Sequence, residues 1–143
     1  MKKTLKNAIL ISMLEQSMDM LFTETVREES GGAYGVPVSA NMSDYPEEIA
    51  VVQVVLPTAP EKRVAMTALI DKGVKQMMEK GPSEENLAKI KEYMLRSHQE
   101  ELKSNDYWMS SLLLKTRYNQ EFVEGYADCV NSASIEDIKQ TAQ

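Results

Sequence analysis

The sequence predicts an α+β fold in which helices pack on one face of an antiparallel sheet. Two observations lead to this prediction: apolar residues recur at helical spacing over most of the chain, and two adjacent segments have the composition of strands. The order is a long helix, two strands and then several helices, which is the order of an α+β domain. At 143 residues, the chain is large enough for one domain with its own core.

The N-terminal segment predicts a long, well-buried helix over residues 4–29, which Gly31 and Gly32 end. Its beginning is similar to a signal peptide, but the apolar stretch is broken by Ser12 and ends at Glu15, and no small-residue cleavage site follows. No stretch approaches the roughly 20 apolar residues of a membrane-spanning helix. We therefore interpret this segment as part of the fold, and the sequence leaves the compartment open.

Two strands are predicted after this helix. Residues 34–42 alternate, and one face is formed by Tyr34, Val36, Val38, Ala40 and Met42. Pro37 cannot donate to a neighbouring strand, so this strand should lie at a sheet edge or carry a bulge. An edge beside a cleft can also accept an extended peptide. Residues 49–56 are apolar on both faces apart from Gln53, which is typical of a strand inside a sheet.

The rest of the chain predicts helices. One starts at residues 57–60 and runs to Lys80, where Gly81 and Pro82 stop it. Ser83 is the N-cap of the next helix. The apolar stripe of that helix is Leu87, Ile90, Met94, His98 and Leu102. The remaining predicted helices cover residues 106–119, 122–130 and, after the N-cap Ser134, 135–141.

Composition argues against several classes of function. The net charge of −6 argues against nucleic-acid binding, which requires clustered Lys and Arg. Cys129 is the only cysteine, so no internal disulfide can form, and we interpret it as a buried, inert thiol. Gly31 and Gly32 lack the following Lys and Ser or Thr of a phosphate-binding loop. Paired acids such as Glu28 and Glu29 are typical of solvated surfaces, and we assign no acid–base pair.

One segment resembles a zinc-binding motif without completing it. The motif His-x-x-Glu-His places two zinc-binding histidines and a water-activating Glu on one helix. Here His98 begins the pattern, but Leu102 occupies the position of the second histidine, and the chain has no other histidine. A catalytic zinc site needs three protein ligands. We therefore predict no metal ligand and no catalytic residue in this chain, and interpret His98 as part of the apolar stripe.

The most informative segment is VREESGGAYGV at residues 26–36, where the long helix ends and the first strand begins. Arg27 would lie in the last turn of the helix and Tyr34 at the start of the strand, on two sides of one tight turn. A guanidinium and a phenol that face one cleft can both donate hydrogen bonds to a ligand. The spacing alone leaves a structural alternative open. Arg27 would then complement the negative end of the helix dipole, and Tyr34 would be an ordinary strand aromatic.

This segment resembles the pitrilysin and insulin-degrading-enzyme family of zinc metallopeptidases, in the non-catalytic half that carries an Arg and a Tyr seven residues apart. The order of elements agrees, and the segments SNDYW at 104–108 and SIEDI at 134–138 are also similar to that half. The resemblance covers nearly the whole chain and implies a metallopeptidase half-domain of the pitrilysin/processing-peptidase type. Such a domain has further strands before and after these elements. We therefore expect residues 1–143 to be a single-domain fragment, truncated at both ends, of a larger peptidase.

The resemblance also implies a function. The chain would be the substrate-binding, non-catalytic domain of a zinc metalloendopeptidase that hydrolyses peptides. Arg27 and Tyr34 would donate hydrogen bonds to the substrate carbonyl near the scissile bond. Zinc would be bound by the missing catalytic half, in the same polypeptide or in a partner subunit, and this chain alone would bind no cofactor and cleave nothing. Its partners would be a peptide or protein substrate and the zinc-bearing half, without nucleic acid or membrane.

A second function is also open at this point: an inactive structural or protein-interaction homologue with no role in catalysis. The presence of both Arg27 and Tyr34 argues for the peptidase domain, because an assembly module has no need of that pair.

In either case, two strands alone make a poor sheet. We expect the exposed strand edge to favour self-association between chains. The sequence gives neither the preferred substrate sequence nor the oligomeric state.

Overall fold

The computed structural model describes residues 1–30, 36–43 and 46–143, with the side chains of residues 26–30 outside the description. Its elements, in chain order, are α1 (Leu5–Ser30), β1 (Val38–Ser43), β2 (Ile49–Val54), a 3₁₀ turn (Pro60–Lys62), α2 (Arg63–Lys80), α3 (Glu84–Glu101), α4 (Asn105–Tyr118), α5 (Tyr126–Ser132) and α6 (Ile135–Ala142). The predicted α+β class is confirmed. Over these ranges, none of the helices has the length and apolarity needed to cross a membrane.

β1 and β2 form an antiparallel pair whose register runs from Val38 opposite Val54 to Ser43 opposite Ile49. Side chains alternate between a face that packs on the helices and a face that is open to solvent. The prediction that Val36, Val38, Ala40 and Met42 share one face is confirmed at these described positions, and this face is the one that packs on the helices. The helices of the chain therefore cover one face of the sheet, as the sequence predicts.

β2 differs from the prediction of a strand inside a sheet. In the described part of the chain its strand partner is β1, and Ile49 and Val51 are exposed on its outer face. Apolar residues on both faces predict that both are covered, but the helices cover only the inner one. On the inner face, a groove of about 360 Å³ lies between β2 and the helices, lined by Val52, Val74 and Met77 among others.

α1 lies at the centre of the fold, in contact with β1, α2, α3, α5 and α6. Large side chains along its length are buried: Ile9, Leu10, Met13, Leu14, Met18 and Phe22. The other helices contribute Met77, Ile90, Val130 and Ile138 to the same core. Full burial of each such side chain contributes about 1.5–3 kcal/mol. α1 therefore packs against other elements on several sides, and the prediction of a well-buried helix is confirmed.

The predicted helix boundaries at Gly81, Ser83 and Ser134 are confirmed. Gly81 ends α2 with φ of 72°, in the region that favours glycine. The Ser83 hydroxyl accepts a hydrogen bond from the Asn86 N–H at 3.1 Å, which caps α3. Ser134 and Asp137 form a reciprocal capping box at the start of α6. These boundaries were predictable because each depends on one local residue.

The helix predicted over residues 122–130 begins later, at Tyr126. The Glu121 carboxylate accepts hydrogen bonds from the backbone N–H groups of the next two residues, both at 3.1 Å. Gly125, with φ of 83°, then turns the chain into α5. Phe122 and Val123 therefore belong to a turn that the Glu121 carboxylate stabilises. The prediction of a helix was wrong for residues 122–125.

Candidate functional site

The sequence singles out two residues, Arg27 and Tyr34, and the side chains of both lie outside the described residues. Arg27 belongs to the helical range of α1, but its side chain is outside the described residues. Tyr34 lies outside the described residues altogether. The structure does describe the residues that flank this segment on both sides.

On the N-terminal side, the segment is preceded by a tightly packed part of α1. Phe22 is 1% exposed and contacts Gly73 of α2. The Thr25 hydroxyl donates a hydrogen bond to the Leu21 carbonyl at 2.7 Å within the same turn. The absence of a side chain at Gly73 lets α2 approach the Phe22 ring closely. The end of α1 is therefore fixed against α2 just before Arg27.

On the C-terminal side, the segment is followed by an equally buried residue. Val36 is 1% exposed and belongs to the same core cluster as Phe22. Immediately after it, the Pro37 carbonyl accepts a hydrogen bond from the Val55 N–H at 2.9 Å, which joins β1 to β2. Residues 26–35 thus connect two points of one rigid core.

β1 continues from this segment and presents an open edge. Because Pro37 is bonded to Val55, the alternation of an antiparallel pair turns the backbone groups of Val38, Ala40 and Met42 away from β2. The carbonyl of Met42 accepts a hydrogen bond from the Lys3 ammonium at 3.5 Å. No third strand pairs with this edge over residues 36–43 and 46–143. Such an edge can pair with an extended peptide.

His98 lies elsewhere, in the centre of an aromatic cluster. Its ring is buried and stacks on Tyr126, with ring centroids 4.0 Å apart and an angle of 14° between the planes. Its Nδ1 is hydrogen-bonded to the Tyr107 hydroxyl at 3.2 Å. The prediction of a helix residue near the apolar stripe is confirmed. Sequence reasoning missed both tyrosines, because they come from α4 and α5 and no local pattern connects them to α3.

The electrostatics of this cluster favour neutral side chains. Burial lowers the pKa of His98 below its usual value, and the nearby Glu101 carboxylate opposes the shift. Burial likewise raises the pKa of Tyr107 and raises that of Tyr126 to about 12. Over the described ranges, no three His, Cys, Asp or Glu side chains come together as metal ligands. The arrangement is suited to joining α3, α4 and α5.

Comparison with known proteins identifies the class of this domain. Residues 2–94 match the family described as the peptidase M16 inactive domain. The match covers more than half of the chain and includes the segment between Phe22 and Val36. The chain therefore belongs to this family of metallopeptidase domains, and the resemblance to pitrilysin-like peptidases is confirmed. No curated protein matches the chain.

Solved structures show the same fold. The chain is similar to the periplasmic protease PqqL from Escherichia coli, with a TM-score of 0.78 and 14% identity over 99% of this chain. It is similar to a variant of the ferredoxin protease FusC in complex with Arabidopsis ferredoxin, with a TM-score of 0.80 and 17% identity over 98% of this chain. A conserved protein from Enterococcus faecalis matches with a TM-score of 0.70 and 18% identity over 91% of this chain.

These matches cover a small part of the larger proteins. The chain spans 16% of the length of PqqL, 16% of FusC and 32% of the Enterococcus faecalis protein. At 14–18% identity, the likeness defines the fold of this domain. The α+β architecture, with helices on one face of an antiparallel sheet, is thus shared with domains of two proteases.

Proposed function

We propose that this chain is the substrate-binding, non-catalytic domain of a zinc metallopeptidase, and that residues 1–143 form one domain of that larger enzyme. The observation that carries the proposal is the match of residues 2–94 to the peptidase M16 inactive domain. That match spans the positions of Arg27 and Tyr34, a pair that would serve the proposed peptidase function and that a purely structural module does not need. The substrate is a peptide or protein, in keeping with the ferredoxin bound by the similar protease FusC.

In this proposal, Arg27 and Tyr34 act on the substrate carbonyl next to the scissile bond. Both side chains donate hydrogen bonds, and Arg27 adds a fixed positive charge. Negative charge develops on the carbonyl oxygen during hydrolysis, so donors placed around it stabilise the transition state more than the bound substrate. The zinc-activated water is supplied by the catalytic half, in the same polypeptide or in a partner subunit.

Preorganisation of this pair is supported by the ends of the segment that carries it. Phe22 and Val36 are both buried in one core, so the residues on either side of this segment are fixed. Preorganised donors are effective because they do not reorient as charge develops. The backbone edge begins at Val38, which would follow Tyr34 by about 13 Å in an extended chain. An extended substrate whose carbonyl contacts Tyr34 is therefore long enough, at four to five residues, to pair with that edge.

Reconstitution tests this function. The chain and the zinc-bearing half of its parent peptidase are purified separately, and cleavage of a quenched fluorescent peptide is measured for each alone and for the mixture. We expect cleavage only in the mixture, saturating at one chain per catalytic half. A catalytic half that cleaves at the full rate alone, or a mixture that is no faster, contradicts the proposal and favours an interaction module.

A further inference from the structure

α4 lies outside the core of the domain. All 14 of its residues are described, and none of their side chains belongs to the core cluster, which α1, α2, α3, α5 and α6 share. Ser111 is its one buried residue, whereas its four large apolar residues between positions 108 and 113 are exposed. A helix of this length is marginally stable without packing. Because α4 gains little stabilisation from burial, its separation from the domain leaves the core intact.

The contact of α4 with α3 and α5 centres on His98. The Tyr107 hydroxyl is hydrogen-bonded to His98 Nδ1 at 3.2 Å, and the two rings meet edge-on with centroids 5.7 Å apart. His98 stacks in turn on Tyr126 of α5. We call the His98–Tyr107 pair the α4 latch, because it joins the start of α4 to a buried residue of α3.

Other contacts hold the two ends of α4 without placing it in the core. At its start, the Trp108 indole N–H donates to the Leu102 carbonyl at 2.8 Å, within the connection from α3. At its end, the Tyr118 ring lies 6.0 Å from that of Phe122 and 5.8 Å from the Lys3 ammonium. The latch differs from these contacts because it contains an imidazole, whose ordinary pKa lies between pH 5 and pH 8. The latch is therefore the contact of α4 that responds to mild acid.

The surroundings of the latch favour a neutral imidazole. Burial lowers the pKa of His98, and the Glu101 carboxylate opposes this shift without outweighing it. Glu15 of α1 lines the same surface groove as Glu101 and Tyr126. Burial also raises the pKa of Tyr107 and raises that of Tyr126 to about 12, so both phenols stay neutral below pH 8.

Acid therefore favours a form in which α4 is open. When α4 opens, the imidazole is exposed to water and its pKa returns towards about 6.5. Between the closed and open pKa values the open form binds more protons, so opening becomes more favourable as pH falls through this window. Protonation also fills the Nδ1 lone pair, so the imidazole can no longer accept a hydrogen bond from the Tyr107 hydroxyl.

We propose that α4 is an acid-released flap of this domain: proton uptake by His98 separates α4 from α3 and α5, while the core around α1 stays folded. At neutral pH the closed form predominates. The released form exposes His98, Tyr107 and Tyr126 to solvent. This inference does not depend on the proposed peptidase function, because it concerns how α4 is held within this chain.

Hydrogen–deuterium exchange of the purified chain from pH 8 to pH 5, read by mass spectrometry, tests the flap. Rates are divided by the intrinsic rate at each pH, so that protection factors report opening. We expect lower protection in α4 than in α1, and a weaker response of α4 to dilute urea, because its opening exposes little surface. Protection of α4 should fall several-fold by pH 5, with a limit of about 30-fold for an exposed imidazole.

Three variants assign the pH response to the latch. His98→Phe keeps a ring against Tyr126 but takes up no proton, so the protection of α4 should no longer depend on pH. Tyr107→Phe removes the hydrogen bond and should lower the protection of α4 already at pH 8. Glu92→Gln removes an exposed carboxylate of α3 and is the matched control, with exchange like that of the wild type.

Three results overturn the proposal. The first is equal protection and equal urea dependence in α4 and α1, which means that α4 opens only when the whole domain unfolds. The second is protection of α4 that does not change between pH 8 and pH 5. The third is the same loss of protection in His98→Phe as in the wild type. The first two comparisons need no substitution, so they decide the matter even if His98→Phe does not fold.

Discussion

The ring of Phe22 in α1 lies directly against Gly73 in α2. A Cβ atom at position 73 would overlap the edge of this ring and lie 3.2 Å from its Cδ1 and 3.3 Å from its Cζ. Phe22 is also the last fully buried side chain before residues 26–30. The contact therefore positions α1 against α2 just before the segment that contains Arg27.

We predict that Gly73→Ala destabilises the domain, although alanine favours helix more than glycine does. The propensity gain is about 1 kcal/mol, and the strain of overpacking a buried site is typically about 1–3 kcal/mol. The net result should be a lower free energy of unfolding in urea. Lys72→Ala, at the preceding exposed position of α2, is the control and should change stability little.

A double-mutant cycle assigns this effect to the ring. Phe22→Leu shortens the side chain, so it should cost less in the Gly73→Ala background than in the wild type. Strictly additive free energies, or a Gly73→Ala variant more stable than the wild type, would show that the Phe22 contact does not control the packing of α1 on α2.

His98 should make stability depend on pH. Burial lowers its pKa in the folded state, whereas the unfolded chain has a pKa of about 6.5. Between these two values the unfolded state binds more protons, so the stabilisation present above pH 6.5 is lost as pH falls through this window. Tyr107 and Tyr126 stay neutral there, and the Glu101 carboxylate is the charged group that opposes the shift.

The measurement is the free energy of unfolding from pH 8 to pH 5 for the wild type and His98→Phe. Phenylalanine keeps a ring against Tyr126 but takes up no proton, so the wild type should lose stability relative to this variant on acidification. Tyr107→Phe is the control, because it removes the hydrogen bond and keeps the imidazole. Equal pH dependence in the wild type and His98→Phe contradicts the assignment.

We predict that the isolated chain holds no stoichiometric zinc. The one histidine of the chain, His98, has its Nδ1 3.2 Å from the Tyr107 hydroxyl and its ring stacked on Tyr126. Among the described residues, no three potential metal ligands come together. Elemental analysis after dialysis should give far less than one zinc per chain, with the separate catalytic half as the positive control. One tightly held zinc in the isolated chain would contradict this.

Much of the fold follows from local sequence. Gly81, Ser83 and Ser134 end or begin helices through their own backbone freedom or hydroxyl groups, so the corresponding boundaries were predicted. Likewise, the period of two in the first strand predicts its buried face. The match of the chain to the peptidase M16 inactive domain confirms the family that the segment around Arg27 and Tyr34 indicated.

Other features depend on contacts between distant residues and could not be predicted. The helical pattern predicts α4 but not which side of it packs inward, since that is decided by Tyr107 meeting His98 and Trp108 bonding to Leu102. Gly73 was not singled out from the sequence either, although an isolated glycine within a helix lowers helix stability and usually has a packing reason when it is retained. Its partner, Phe22, can be identified only from the fold. The roles of Arg27 and Tyr34 stay a prediction, because these side chains lie outside the described residues.

The central claim concerns this pair, and steady-state kinetics of the reconstituted peptidase tests it most directly. Tyr34→Phe removes one hydroxyl, and Arg27→Lys keeps the charge but loses the planar fork of donors. We expect each to lower kcat and kcat/KM together, by about 10²–10³ if the donor is preorganised. The exposed Tyr93→Phe and Arg96→Lys are matched controls that should retain wild-type rates. Wild-type kinetics in both Tyr34→Phe and Arg27→Lys, with only a lowered Tm, would contradict a role in substrate binding and leave a purely structural role at the helix end.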